Sequence, residues 1–438
     1  MSVDLLLKNG TVIVDGKETA RSLGVKAGKI EAVYVVGNEP AAQETVDCSG
    51  LYVLPGAIDI HVHLRDLGQS NKEDYMTGTR AAAAGGVTTV VDMPNSDPPV
   101  LTSRVLEEKI TSAQEKRFVN VGFYAGVPKK AADFDASITP NILGVKEYPH
   151  SPLVQGTRTG PQRALDCMRI CFELDLPLLF HPDSSKPGAV PEDLNDFLAL
   201  HSCDNEAKSI KLFLSAHSEI GGRLHVCHVS CESAARLIGE HRAEKSLTAE
   251  VTPHHLLLAG SDFIDSDGTA KVLPPLRTRQ DSEWLRHALS GQCSIDCVVS
   301  DHAPHTDQEK LVPFLKAASG IPGLETLVPL MLTEVFDGRL PWVDYLRCCC
   351  SAPAWVLRIG NKGVLTKGYD ADITVVQREE TVIRGADFQS KARVTPFEGR
   401  RVLARPVMTF VGGELVYSYG KFMVGQGTAG RVPVRATR

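Results

Sequence analysis

The chain has no excess of positive charge: 47 lysines and arginines stand against 53 acidic residues, giving a net charge of -6 and a pI near 6.2. Such a balance offers no overall attraction to phosphate backbones or anionic membranes, so a nucleic-acid partner has no electrostatic footprint and an anionic ligand needs locally placed cations. No uncharged run is long enough to span a bilayer. The opening stretch MSVDLLLKNGTVIVDGKE lacks a basic segment followed by a long apolar core and a cleavage site. A cytoplasmic location without a membrane partner is therefore expected. The 11 cysteines include CCC at Cys348 to Cys350 and the i,i+4 pairs Cys167/Cys171 and Cys227/Cys231, but no CxxC pair that would suggest a zinc ribbon. Reduced, mostly buried thiols are the plain expectation. Repeats, low-complexity tracts and disordered linkers are missing as well.

What is present is a globular composition, with 43% hydrophobic and 23% charged residues over 438 positions. That length suits a large barrel with an accessory piece. Residues 1–53 alternate apolar and polar in short bursts punctuated by Asn-Gly, Asp-Gly and Ala-Gly-Lys, which reads as hairpins of a small antiparallel sheet. The tail from 362 to 438 repeats that pattern in DADITVV and RVLARPVMTFVGGELVYSYGKF, so both ends are expected to form one domain. Between them, in 54–361, run eight short apolar segments: AIDIHVHL, VTTVVDMPN, FVNVGFYAG, ILGVKEY, LPLLFHP, RLHVCHVS, LTAEVTPHH and DCVVSDHAPH. Most are followed by a helical pattern, such as KEDYMTGTRAAAAGG, RVLEEKITSAQEK and PQRALDCMRICFELD. Eight strands alternating with helices predict an α/β (β/α)8 TIM barrel.

These segments are bland where they begin and carry polar residues where they end, which is where barrels of this kind keep their chemistry. In GAIDIHVHLRD, alternation along a strand puts Asp59, His61 and His63 on one face. Two neutral imidazoles on one face can chelate a divalent ion, with a nearby carboxylate to orient a ring or balance charge. An isolated HxH reads equally as two surface or hydrogen-bonded histidines. His181 closes LLFHP, His228 closes LHVCHVS and Asp301 closes CVVSDHAPH. Each taken alone is a satisfied core residue; four histidines and an aspartate at the ends of four strands strain that reading. Lys146, at the end of ILGVKEY, is the puzzling member, because an ammonium repels a metal; it reads otherwise as a salt-bridged or solvent-reaching lysine.

The set HVHLR, GVK, FH, VCHVS and SDHAPH resembles the amidohydrolase superfamily, in the same order and over essentially the whole chain. The resemblance implies two zinc ions in the barrel, bridged by a carboxylated lysine, and a small β-sandwich built from the terminal segments. His61, His63 and Asp301 would hold one ion, His181 and His228 the other, with carboxylated Lys146 and a hydroxide between them. Asp301 would be the catalytic acid/base. Within the superfamily, Arg65, Asn95 at the end of DMPN and His305 at the end of DHAPH, together with PHH and GIPGLET, resemble the dihydroorotases. Arginine offers a planar fork for a carboxylate and asparagine a neutral donor. The activity implied is the reversible cyclisation of N-carbamoyl-L-aspartate to L-dihydroorotate in pyrimidine biosynthesis, with His305 and the backbone around Pro322 and Gly323 helping to fix the substrate. The alternatives are another cyclic amidase, allantoinase or hydantoinase-like, or a non-catalytic scaffold. A homodimer and an association with aspartate transcarbamoylase are left open. The chain departs from the pattern at Asp66-Leu67-Gly68, where Glu-Pro-Gly is usual, and at Leu273 in KVLPPLR, where Asn or Arg often faces the ring. His254 and His255 are read as supporting or structural. The GIPGLE stretch and residues 307–319 are the candidates for a loop that closes over substrate.

Overall fold

The computed structural model describes residues 2–242, 246–263, 268–290, 294–433 and 435–436. Five strands open the chain: β1 (Val3–Val14), β2 (Lys17–Lys26), β3 (Lys29–Val35), β4 (Ala42–Asp47) and β5 (Leu51–Pro55). Eight barrel strands follow: β6 (Ala57–Val62), β7 (Val87–Asp92), β8 (Asn120–Gly126), β9 (Gly144–Glu147), β10 (Pro177–Phe180), β11 (Arg223–Val226), β12 (Leu247–Val251) and β13 (Cys297–Val298). The tail adds β14 (Ile373–Val382), β15 (Arg401–Val411), β16 (Glu414–Ser418) and β17 (Lys421–Phe422).

Strands β6 to β13 pair in sequence order, each parallel to the next. Every residue in them except Arg223 is buried, because helices cover the outside while side chains fill the inside. That double burial is why the eight sequence segments read as unbroken apolar runs. All eight are strands in the predicted order. The seam is closed without a long ladder: His302, just past the short β13, bridges both Val62 and Ile321, and the His63 N–H donates to the His302 carbonyl at 2.7 Å. The Asp59 carboxylate spans the same seam by accepting the Ser300 N–H at 3.1 Å. Burial pushes Asp59 up to about 7.

Helices Tyr75–Ala84, Ser103–Lys116, Pro161–Glu173, Glu232–Glu240 and Arg279–Ala288 occupy the expected stretches, and Asp74 with Thr77 forms a capping box at the first. Residues 243–245 of ESAARLIGEHRAEK and residue 291 of DSEWLRHALSG, two stretches whose pattern also reads as helical, lie outside the described residues. The terminal arms share one nine-stranded sheet, in which β5 pairs antiparallel with β14 and so joins the two ends of the chain. Leu7, Leu23, Val53, Ile373 and Phe410 from both arms pack into a core of its own. Polar ties fix this sheet to the barrel: the Glu325 carboxylate accepts the Gln389 and Ser390 N–H groups at 2.8 and 3.2 Å. No helix among the described residues is long and apolar enough to cross a membrane.

Candidate active site

The carboxyl ends of the barrel strands surround a cavity of about 340 Å³ lined by His61, His63, Arg65, Asn95, His181, His228 and Asp301, among others. His61 and His63 project together from the end of β6, as alternation along the strand requires. Their Nε2 atoms lie 3.4 and 3.2 Å from Asp301 Oδ1. The other nitrogen of each ring is engaged: His61 Nδ1 bonds to Glu250 Oε1, and His63 Nδ1 donates to Asn95 Oδ1 at 2.6 Å. A donor bond at Nδ1 leaves the Nε2 lone pair free, so both rings aim lone pairs at one point beside Asp301. Burial resists ionisation of Asp301, but the facing His61 and His63 hold its carboxyl down at about 2. Burial pushes the His63 imidazole down to about 4, so the ring is neutral at pH 7. Ligand atoms of His61, His63 and Asp301 lie within 4.8 Å of one another.

The second half is built differently. His181 and His228 end β10 and β11, and their ring centroids are 4.5 Å apart. His181 Nε2 and His228 Nδ1 are buried with no hydrogen-bond partner among the described residues. Burial drives both imidazoles well below their usual range. Neutral imidazoles, each with a buried nitrogen that no described residue engages, are a donor set that fits a divalent ion. Lys146 is fully buried, its Nζ 2.7 Å from Cys227 Sγ and 5.2 Å from the centre of the Tyr148 ring. Among the described residues it makes no ion pair. Two of the candidate ligands stand on strained backbone, with φ of +32° at His228 and +46° at Asp301, where the chain turns from strand into loop.

Arg65, Asp66 and Leu67 also all have positive φ, between +46° and +57°. The turn is pinned by Asp66, whose carboxylate accepts from Ser112 Oγ at 2.7 Å and pairs with Lys116 at 3.1 Å. It directs the Arg65 side chain into the cavity wall, where its Nε donates to the Pro304 carbonyl at 3.3 Å and Nη2 lies 3.3 Å from His305 Nε2. Asn95 keeps its Nδ2 donor free of partners among the described residues, because its oxygen serves His63. Burial and the neighbouring Arg65 and Lys72 push His305 down to about 3. Leu273 lines the same cavity.

Residues 52–416 match the model of the amidohydrolase family. The chain belongs to that family. A dihydroorotase of Anaplasma phagocytophilum is 35% identical over 86% of this chain and 85% of its own. A dihydroorotase of Methanothermobacter thermautotrophicus is 34% identical over 97% and 96% respectively. Among solved structures, the L-hydantoinase (dihydropyrimidinase) of Arthrobacter aurescens superposes with a TM-score of 0.91 at 27% identity, covering 99% of this chain and all of that one. The amidohydrolase is thus a hydrolytic enzyme acting on cyclic amides, built on a TIM barrel with a separate sheet from its termini.

In this amidohydrolase the site contains residues that strand-end patterning does not reveal. Glu250, in the middle of β12, joins His61 to His225, whose Nε2 lies 2.9 Å from Glu250 Oε2. A glutamate inside the apolar run LTAEV is the available signal, since a buried carboxylate needs a partner. Tyr148 and His150, just beyond Lys146, line the cavity, and the Tyr148 hydroxyl is buried without a partner among the described residues. Pro322 and Gly323 are not among the lining residues; Ser319 and Gly320 are. At φ +138°, and with a Cβ there falling only 2.5 Å from the Ala303 carbonyl, position 320 admits only glycine. His255 is structural, held by Thr252 Oγ1 at 2.9 Å and the Pro274 carbonyl at 3.1 Å, whereas His254 Nε2 has no partner among the described residues.

Proposed function

We propose that this amidohydrolase is a dihydroorotase, interconverting N-carbamoyl-L-aspartate and L-dihydroorotate as a cytosolic step of pyrimidine synthesis. One observation carries the reading: Arg65 is a buried cation in the cavity wall, and among the described residues no carboxylate pairs with it. Burial pulls its pKa down and outweighs the opposing charges of Asp301, Asp92 and Glu309, none of which forms an ion pair with it, so the site favours a ligand that brings a negative charge. The carboxylate on the dihydroorotate ring supplies one; hydantoin and dihydropyrimidine rings do not. The Arg65 guanidinium and the Asn95 Nδ2 amide would grip that carboxylate, with His305 beside them.

Two divalent ions, zinc by resemblance, would be held by His61, His63 and Asp301 and by His181 and His228, with carboxylated Lys146 between them, and would supply a water ionised near neutral pH and a polarised carbonyl. Carboxylation suits Lys146, because a carbamate removes a buried ammonium that has no acidic partner among the described residues. In the hydrolytic direction Asp301 accepts the proton of the attacking water and returns it to the leaving ring nitrogen as the amide bond breaks. In cyclisation Asp301 takes the proton of the ureido nitrogen as that nitrogen closes on the carbon of the side-chain carboxylate, then passes it to the departing carboxylate oxygen, which leaves as water with a second proton from solvent. The ionised carboxylate is the form needed to accept.

A second reading, a hydantoinase-like cyclic amidase, is favoured by Leu273, which presents an apolar wall where a polar ring contact would otherwise stand. Turnover of L-dihydroorotate, hydantoin, dihydrouracil and allantoin by zinc-supplemented protein separates the two. We expect efficient hydrolysis of dihydroorotate alone, and Arg65→Met should cut its kcat/KM by about 30-fold, mostly through KM. Equal kcat/KM on the uncharged rings would overturn the assignment.

A further inference from the structure

One cluster of ligating side chains lies next to the centre but outside the set just described. His150 follows β9 in EYPHSP, His181 ends β10, and Asp183 lies two residues beyond. Their ligand atoms all fall within 4.8 Å of one another. The His150 and His181 rings are 4.1 Å apart, and both line the cavity. His150 Nδ1 and His181 Nε2 are buried and unpartnered among the described residues. Asp183 is braced from behind: His201 Nδ1 donates to its Oδ2 at 2.5 Å and the Ser185 N–H to its Oδ1 at 2.7 Å. His201 is anchored in turn by Arg277, which donates to its carbonyl at 2.6 Å. Two imidazoles and a carboxylate fixed by a histidine behind it are a donor set for a borderline divalent ion such as Zn2+ or Co2+.

His181 belongs to both sets. A neutral imidazole offers one lone pair and carries its proton on the other nitrogen, so one ring serves one cation at a time. The outer set and the His181–His228 pair therefore exclude each other through His181. Burial deepens along the way, from the partly exposed His150 through His181 at 6% exposure to His228 at 2%. We propose that His150, His181 and Asp183 form a divalent-cation site in the cavity wall, a staging position from which an ion passes to the His181–His228 half of the catalytic centre. The inference rests on the two-ion reading of the centre but not on the identity of the substrate.

The test is cobalt uptake by the full-length apoprotein, followed by absorbance in a stopped-flow instrument and by metal content at saturation. His150→Gln and Asp183→Asn should each load about tenfold more slowly than wild type. Their final cobalt content per chain should equal that of wild type, and Ser151→Ala, on the same wall but offering no ligand, should load at the wild-type rate. Circular dichroism and thermal melting identify a variant that has lost its fold, and the remaining variant then decides. Wild-type uptake rates in His150→Gln and Asp183→Asn would overturn the staging site, as would a saturated wild type holding one more ion than His150→Gln. A wild-type protein that takes up no cobalt at all would remove the centre itself, and with it the function proposed above.

Discussion

The two halves of the centre are built to different degrees of completion. Around His61, His63 and Asp301 the chain supplies its own supports: Glu250 and Asn95 fix both rings, and Asp301 is already ionised. Around the other pair, His181 Nε2 and His228 Nδ1 have no hydrogen-bond partner among the described residues, and the neighbouring Lys146 faces a thiol instead of an acid. The first half has protein partners on both of its rings, while the second, in the reading proposed above, would take its order from a cation and a carboxylated Lys146. Preorganisation of this kind fixes geometry before the ion arrives, whereas the other half spends part of its binding energy on ordering.

The largest expected effect falls on the organised half. Asp301→Asn keeps the size of the side chain but removes the proton acceptor, and turnover of dihydroorotate should fall by roughly 10³-fold. Metal content measured on the same sample should stay near wild type. A rate within tenfold of wild type would take Asp301 out of the acid/base role. Lys146→Met tests the other half: the protein should hold one zinc ion per chain instead of two, with His61, His63 and Asp301 keeping theirs. Loss of both ions would show that the halves are not independent and would break the comparison.

A subtler change sharpens it. Glu250→Gln removes the ionised partner of His61 and His225 in a fully buried position. Affinity for the ion of the first half, measured by chelator competition, should drop about 10- to 100-fold. In the second half Glu250 accepts only the His228 backbone N–H, at 3.3 Å, and bonds to neither ring, so affinity there should change less.

The difference between the halves also separates what is legible in the sequence from what is not. Period-2 alternation in IDIHVHL and the abrupt polar ends of LLFHP, VCHVS and VVSDH expose the candidate ligands, because strand geometry alone aims them at one end of the barrel. The supports are invisible to that logic. Asn95 reads from sequence as a substrate donor, and its bond to His63 depends on a loop; the Glu250 link to His61 joins β12 to β6 across 189 residues of sequence. His150 and Asp183 sit in proline-containing loops with no periodicity to follow, and the choice of Ser319 and Gly320 over Pro322 and Gly323 at the cavity is set by a glycine conformation. The 18-residue helix Cys203–Ile220 is absent from the expected elements too, although Ser202 caps it and His217 completes its last turn.

Away from the centre the same contrast between supplied and missing partners predicts a pH effect on stability. Burial pushes Glu325 up to about 8, against the pull of the Gln389 and Ser390 N–H groups that tie the terminal sheet to the barrel, and Glu73 nearby adds to the rise. A carboxyl whose folded pKa lies above its unfolded value binds more protons in the native state. Its effect on stability therefore grows less favourable as pH rises from about 4 to about 8 and levels off above that. Glu325→Gln keeps an oxygen for the two N–H groups and removes the charge, so the variant should match wild type near pH 5 and exceed it by ~3 kcal/mol near pH 8. Urea unfolding at the two pH values measures the difference. A gain of equal size at both would place the effect in packing, and the titration of this junction would then contribute nothing to the pH dependence of the fold.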